Sequence, residues 1–239
     1  MPDLLDAPQT DAPAAPAPRE RPVGVSPAEL LAPPPPRPAR VTVEMYHAMI
    51  EAGVFDGIEG RRIELLDEEL VEMAAAYPPH AVSVDISADA LKALFGPSWG
   101  VRIEKPVALP RSEPEPDLSV ANRALKFWSS RHPGPSDLLM VVEISDSTLE
   151  LDRTRKARIY AAAGISPYWI VNLPERVLEV RTDPHIPAEG PASYRTLRTY
   201  REDETVEFAL DGRPFTLPVA ELLPAEEGDR QSESRAEVG

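Results

Sequence analysis

Glu143 stands inside LLMVVEIS, residues 138–145, the most apolar strand-like run of the chain. An unpaired charge at such a position costs several kcal/mol, so the carboxylate needs a partner. Side chains alternate across a strand, which puts Leu138, Met140, Val142 and Ile144 on one face. Leu139, Val141, Glu143 and Ser145 share the other, and that face turns from apolar to polar as a strand does on reaching a cleft. A second carboxylate comes from PDLSV, residues 116–120, where Asp117 and Ser119 share one face and Leu118 and Val120 the other. If the two strands are neighbours, Asp117 and Glu143 converge. Converging carboxylates repel unless a proton or cation lies between them. Hard oxygen ligands of this kind suit Mg²⁺ or Mn²⁺, which keep several waters and also bind phosphate oxygens. An arginine partner for Glu143, or a capping role, is the alternative that these residues leave open.

A third group tips the balance. Of the 25 basic residues only four are lysines, at positions 92, 105, 126 and 156, so each lysine is conspicuous. After the apolar strand, a helix is predicted from about Ser147 to Ala163, with Gly164 as its stop. At helical spacing Leu149, Asp152, Lys156, Ile159, Tyr160 and Ala163 form one stripe, away from Arg155, Arg158 and Ala162. The stripe carries the larger apolar side chains and so should face the sheet, with Lys156 inside it. A snorkelling lysine paired with Asp152 one turn earlier is the plainer reading. Taken together, two carboxylates and an ammonium have a joint chemical sense, which is metal-dependent phosphodiester hydrolysis. The carboxylates hold a divalent ion against a phosphate, and the ion activates water. The lysine neutralises a non-bridging oxygen or orients the attacking water.

The elements that must position these groups follow from period and punctuation. VTVEMYHAMIEAG (41–53) has helical spacing with Gly53 as a stop, and RRIELLDEELVEM (61–73) reads as two short strands about a turn at Asp67-Glu68. PHAVSVDISADALKALF (79–95) places Val82, Ile86, Ala90 and Leu94 on one helical stripe. VRIEKPVALP (101–110) alternates as a strand, and EPEPDLSVA delivers Asp117 at the start of another. PYWIVN (167–172) reads as a buried strand. RVLEVRT (176–182), SYRTLRTY (193–200) and ETVEFAL (204–210) are expected to form a closing antiparallel edge, with a last helical turn at 219–223. The sum is an α/β (α+β) domain, a mixed central sheet flanked by helices.

The 29 prolines are too many for one compact domain, and twelve fall in the first 40 residues. Residues 1–40 are therefore expected to be a disordered Pro/Ala-rich arm, residues 41–223 the folded domain, and residues 224–239 a disordered acidic tail. There is no cysteine, which removes disulfides and thiolate zinc sites. The N-terminus lacks the basic and apolar regions of a signal peptide, and no apolar run has bilayer-spanning length, so a cytoplasmic protein without membrane contact is expected. The formal net charge is −15, of which the arm holds one and the tail three. An acidic domain argues against a broad basic footprint for nucleic acid, though a weak, local contact with DNA survives that objection.

The residues also resemble a known family. Pro116-Asp117 followed by Glu143-Ile144-Ser145, with Lys156 on the next helix, is similar to the PD-(D/E)XK nuclease superfamily. The wider order of IELLDEELVEM, Pro79-His80, EPDLSV, LLMVVEISDST, the Asp152/Lys156/Tyr160 helix and AGISPYWIVN resembles the Uma-type restriction endonuclease family from about Val43 to Leu223. The resemblance implies a restriction-endonuclease-like fold and a Mg²⁺- or Mn²⁺-dependent endonuclease acting on DNA. It implies Asp117 and Glu143 as metal ligands, with the Ile144 carbonyl completing the site. Ser145 stands where the superfamily has its lysine, and Lys156 matches the place to which this family moves it. Glu64 and His80 match positions near the site, and Asp152 and Tyr160 support it. Glu68 stands where the family often has glycine. A homodimer is also implied, because cutting both strands usually needs two sites.

His47, His132 and His185 show no metal-ligand spacing and are expected at the surface. Trp169, Tyr168 and Trp128 are expected in the core or an interface, since no basic patch interleaves them. The competing reading is a non-catalytic interaction module that keeps the nuclease fold. The acidic charge favours that module, because a duplex binder needs cations against phosphate. The presence of all three chemical groups favours the enzyme.

Overall fold

A computed structural model describes residues 38–57 and 62–225. The expected disorder of the arm and the tail therefore lies, but for a few residues at their inner ends, outside the described residues. Helix α1 (Val43–Glu51) leads to a hairpin of β1 (Arg62–Leu66) and β2 (Glu69–Met73). Helix α2 (Pro78–Phe95) is followed by β3 (Gly100–Ile103), β4 (Leu118–Ala121) and β5 (Leu138–Ser145). Helix α3 has three segments, α-helical Leu149–Leu151, a wider π turn at Asp152–Lys156, and α-helical Ala157–Ala162. Strands β6 (Tyr168–Asn172), β7 (Val177–His185) and β8 (Ser193–Arg201) precede a second hairpin, β9 (Thr205–Leu210) with β10 (Arg213–Pro218), and a closing 3₁₀ turn at Val219–Leu222.

The central sheet has six strands in the order β3-β4-β5-β6-β7-β8. Only β5 and β6 run parallel, with α3 as the crossover that such a pair requires. The mixed sheet flanked by helices is the architecture expected from the sequence. One face carries Leu118, Val120, Met140, Val142, Ile144 and Trp169, covered by α2 and the β9–β10 hairpin. The other carries Val141, Tyr168 and Ile170, covered by Tyr160 of α3 and Leu66 of β1. Each fully buried aliphatic side chain of these layers contributes about 1.5–3 kcal/mol. No helix among the described residues is long and apolar enough to cross a membrane.

Four local features differ from the sequence reading. The stretch 101–110 is a strand only to Ile103, because Glu104 turns left-handed (φ 46°) and ends the ladder. The buried stripe of α2 is Ser83, Val84, Ser87, Ala88, Leu91 and Phe95, while Val82 is exposed. Two serines hide that stripe from a hydrophobicity count. Their hydroxyls donate to the Leu222 carbonyl, at 2.6 Å from Ser83 and 3.4 Å from Ser87, so their burial leaves no orphan group. A bulge between Val120 and Ala121 shifts the β4–β5 register, which sends Leu139 to the α2 side and Leu138 to the α3 side, opposite to simple alternation. Finally, β9 leaves the sheet and pairs with β10, a strand that its two prolines concealed.

Candidate active site

The β4–β5 ladder is antiparallel and pairs Leu118 with Val142. The next residues outward are Asp117 and Glu143, and both point to the α3 side of the sheet. The convergence that the sequence predicted is therefore present. Asp117 Oδ2 accepts from the Ile144 backbone N–H at 2.7 Å and lies 3.3 Å from His80 Nε2. The Asp117 N–H lies 3.4 Å from Glu143 Oε2, so the two acids are linked through backbone as well as by proximity. A strand residue turns its N–H and C=O the same way, so the Ile144 carbonyl lies on the Asp117 side of β5.

Helix α3 delivers the cation. Lys156 Nζ donates to Glu143 Oε1 at 3.0 Å and lies 3.5 Å from Glu64 Oε2 and 3.9 Å from Asp152 Oδ1. Tyr160, one turn on, donates to the same Glu143 oxygen at 2.7 Å. The π turn spans Asp152 to Lys156, and the Ala157 N–H reaches the Asp152 carbonyl. Such widened turns commonly mark functional sites. This one ends with both charged side chains of the segment's inner face, Asp152 and Lys156, buried against the sheet. Ser145 settles its own oddity. Its hydroxyl donates to Asp152 Oδ2 at 2.7 Å, as does Thr148 at the same distance, so the serine two residues after Glu143 anchors the acid that faces Lys156.

Electrostatically the cluster is short of positive charge. Four buried acids, Glu64, Asp117, Glu143 and Asp152, surround one buried lysine. Burial pushes the Glu143 carboxyl well above its usual range; Lys156 opposes the rise, and Asp152, Asp117 and Glu64 add to it. Burial likewise raises Glu64 and Asp152, again against the pull of Lys156. For Lys156 burial favours the neutral amine, but the acids, Glu143 foremost, overcome it and hold the proton. Burial also disfavours a charged His80, and its contact with Asp117 reverses that. Among the described residues neither Glu64 oxygen accepts a well-formed hydrogen bond; the Glu115 backbone is a marginal donor and Lys156 Nζ lies 3.5 Å away. Asp117 Oδ1 accepts none either, and Glu143 Oε2 has only the long contact to the Asp117 N–H.

That pattern fits a divalent ion. Each of two adjacent carboxylates keeps an oxygen free or nearly free, and the surplus of negative charge favours a cation. Among the described residues no three His, Cys, Asp or Glu side chains are set to share a metal ion. A Mg²⁺ site does not need three, because the ion binds through one or two carboxylates and retains waters. The cleft over the acids has about 30 Å³ free for water-sized bodies, enough for an ion or a water or two but not for a nucleotide. A polymeric substrate would lie across its mouth.

The remaining expectations sort plainly. All of Glu64, His80, Asp117, Glu143, Ile144, Asp152, Lys156 and Tyr160 gather in one neighbourhood. His47 pairs with Glu113 at 2.7 Å, His132 lies 3.3 Å from an Arg102 nitrogen, and His185 2.8 Å from an Arg195 nitrogen, so none of these contacts involves Glu64, Asp117, Glu143 or Asp152. Trp169 and Tyr168 are core residues. Trp128 is half-exposed, with the Arg131 guanidinium 5.1 Å over its ring, so a basic residue does accompany that aromatic. Glu68 sits at φ 63° beside Asp67 at φ 47°, where glycine would be unstrained. Arg62 was missed. It lines the cleft, and only its place two residues before Glu64, on the same face of β1, hinted at this.

No curated protein matches the chain. The crystal structure of a putative nuclease of the DUF820 group from Anabaena variabilis, determined at 1.96 Å, is similar at 11% sequence identity and a TM-score of 0.49, covering 67% of this chain and 88% of that one. Over residues 43–220 the sequence matches the family described as "Uma2: Putative restriction endonuclease", and the chain belongs to that family.

Proposed function

We propose that this protein is a divalent-metal-dependent endonuclease that hydrolyses DNA phosphodiester bonds. One observation carries the reading: Asp117 and Glu143, on adjacent strand ends, line one cleft, each with an oxygen that has no partner or only one long contact, while Lys156 bonds Glu143 from α3. Membership of a family described by restriction endonuclease activity supports the same class of reaction.

Asp117, Glu143 and the Ile144 carbonyl would hold Mg²⁺ or Mn²⁺. Such an ion supplies an acidified water and neutralises charge that builds up on the phosphate. The chain's own groups prepare that position. The Ile144 N–H fixes one Asp117 oxygen and leaves the other free. Lys156 and Tyr160 both hold Glu143 Oε1, which keeps Oε2 turned outward. The ammonium favours the ionised carboxylate that a hard cation requires. Asp152, held by Ser145 and Thr148, in turn keeps Lys156 from swinging away. His80 steadies Asp117 at the cleft edge. Cutting both strands of a duplex needs two such sites, which a homodimer would supply.

Incubation with supercoiled, linear and single-stranded DNA in Mg²⁺ or Mn²⁺ tests the proposal. Cleavage that chelation stops and Asp117→Ala abolishes is expected. Intact DNA of every form, with Asp117→Ala indistinguishable, would leave the interaction module as the better reading. The net charge of −15 is what speaks for that module.

A further inference from the structure

Lys156 lines the floor of the cleft and is not the cation that a polymer crossing its mouth meets first. Its side chain is 2% exposed, and three carboxylates already share its charge. The cleft has a second cation. Arg62 opens β1, and its side chain is 33% exposed at the mouth that a polymeric substrate would cross. Burial disfavours its charge, but Asp117 and Glu64 outweigh that, which places the guanidinium in the field of the same acids. Its Nη1 donates at 2.8 Å to Oε1 of Glu104, a carboxylate that is 43% exposed. Glu104 is unusual in its backbone. It adopts φ 46°, a left-handed conformation that is uncommon outside glycine and clusters at functional positions. Its N–H bonds the Asp117 carbonyl at 2.9 Å, so the strained residue is tied to the acid that the site is built on.

We propose that Arg62 contacts the non-bridging oxygens of the substrate phosphate, and that the Glu104 carboxylate holds the guanidinium in place until the phosphate replaces it. This rests on the nuclease reading. A phosphodiester offers two oxygens in the geometry that the guanidinium fork prefers. The exchange keeps Arg62 hydrogen-bonded before and after, and an exposed ion pair is cheap to open. Glu104 thus acts as a positioning residue, and Arg62 as a contact to substrate.

The test reads DNA and metal separately on the full chain. Binding of a fluorescent duplex is measured by anisotropy in Ca²⁺, Mn²⁺ binding by calorimetry, and cleavage kinetics in Mg²⁺. Arg62→Ala is expected to weaken DNA binding roughly ten- to hundredfold and to raise KM. Its Mn²⁺ affinity should hold or tighten, because a positive charge near the acids has gone. Glu104→Gln removes the competitor and should tighten DNA binding severalfold. Arg62→Gln serves where the alanine variant folds poorly. Wild-type DNA affinity in Arg62→Ala and Arg62→Gln, or equal losses of DNA and Mn²⁺ binding in both, would overturn the proposal. Wild-type protein that cuts nothing but loses DNA affinity on Arg62→Ala would sink the nuclease reading and leave the phosphate contact standing. Wild-type protein that cuts, beside an Arg62→Ala variant with unchanged kinetics, would do the reverse.

Discussion

At the scale of single residues, the site is a contest between burial and charge. Glu143 is almost fully buried, yet its surroundings do not simply neutralise it. One oxygen takes two donors and the other takes one long contact, which leaves the second oxygen available to a further ligand. Two predictions belong here. Lys156→Met leaves Glu143, Glu64 and Asp152 buried without their cation. Removing one partner of a buried pair typically costs about 3–5 kcal/mol. Chemical denaturation should show a loss of that order, and added Mn²⁺ should recover part of it. Tyr160→Phe removes a single donor to a carboxylate and should cost about 1.5–3 kcal/mol by the same measurement. It should lower the cleavage rate through the orientation of Glu143 and leave KM nearly unchanged.

At the scale of elements, the site depends on what fixes β5, β1 and α3 against one another. Glu179 on β7 helps to fasten α3 through Arg153. Burial would raise its carboxyl, but hydrogen bonds from Arg153 of α3, the Arg153 and Arg181 charges, and Asn172 hold it below the usual range. A depressed carboxylate contributes stability above its unfolded pKa, near 4.3, and that contribution is lost as pH falls through the folded value. Glu179→Gln should therefore destabilise the protein by about 3 kcal/mol at neutral pH. In acid the variant and the wild type should converge, and thermal melts across pH would show it. A constant gap down to the lowest pH would contradict this account of α3. Much at this scale was legible beforehand. Alternation in LLMVVEIS and PDLSV gave the facing carboxylates, and the spacing of Asp152, Lys156 and Tyr160 gave the helix face. Less legible was anything that polar residues decided. Ser83 and Ser87 are buried because a distant carbonyl accepts from them, and the π turn leaves no mark in residue periodicity. The early end of β3 also came from one backbone dihedral, at Glu104, that no composition rule foretells.

At the scale of the molecule, the proposed function raises the question of how a chain of net charge −15 would approach DNA. The cleft shows a local answer, with Arg62 at its mouth. A small number of phosphate contacts implies a shallow salt dependence, since the logarithm of affinity falls by about 0.9 per phosphate neutralised in duplex DNA. Anisotropy titrations over a range of salt are expected to give a slope of about one to three. A slope near that of strongly basic DNA-binding proteins would mean that a large footprint lies elsewhere on the chain. The Arg62 contact escaped the sequence reading for a plain reason. In a chain that uses arginine for most of its basic positions, one more arginine at the head of a strand carries no signal until the cleft is seen.

The claim on which all of this rests is that the Asp117–Glu143 pair holds a divalent ion. Calorimetric titration of Mn²⁺ into the wild type, Asp117→Asn and Glu143→Gln addresses it without reference to any DNA substrate. One site in the wild type, weakened at least about a hundredfold in both variants while their melting temperatures hold or rise, is expected. Wild-type protein that takes up no Mn²⁺, or variants that bind it as well as the wild type does, would contradict it.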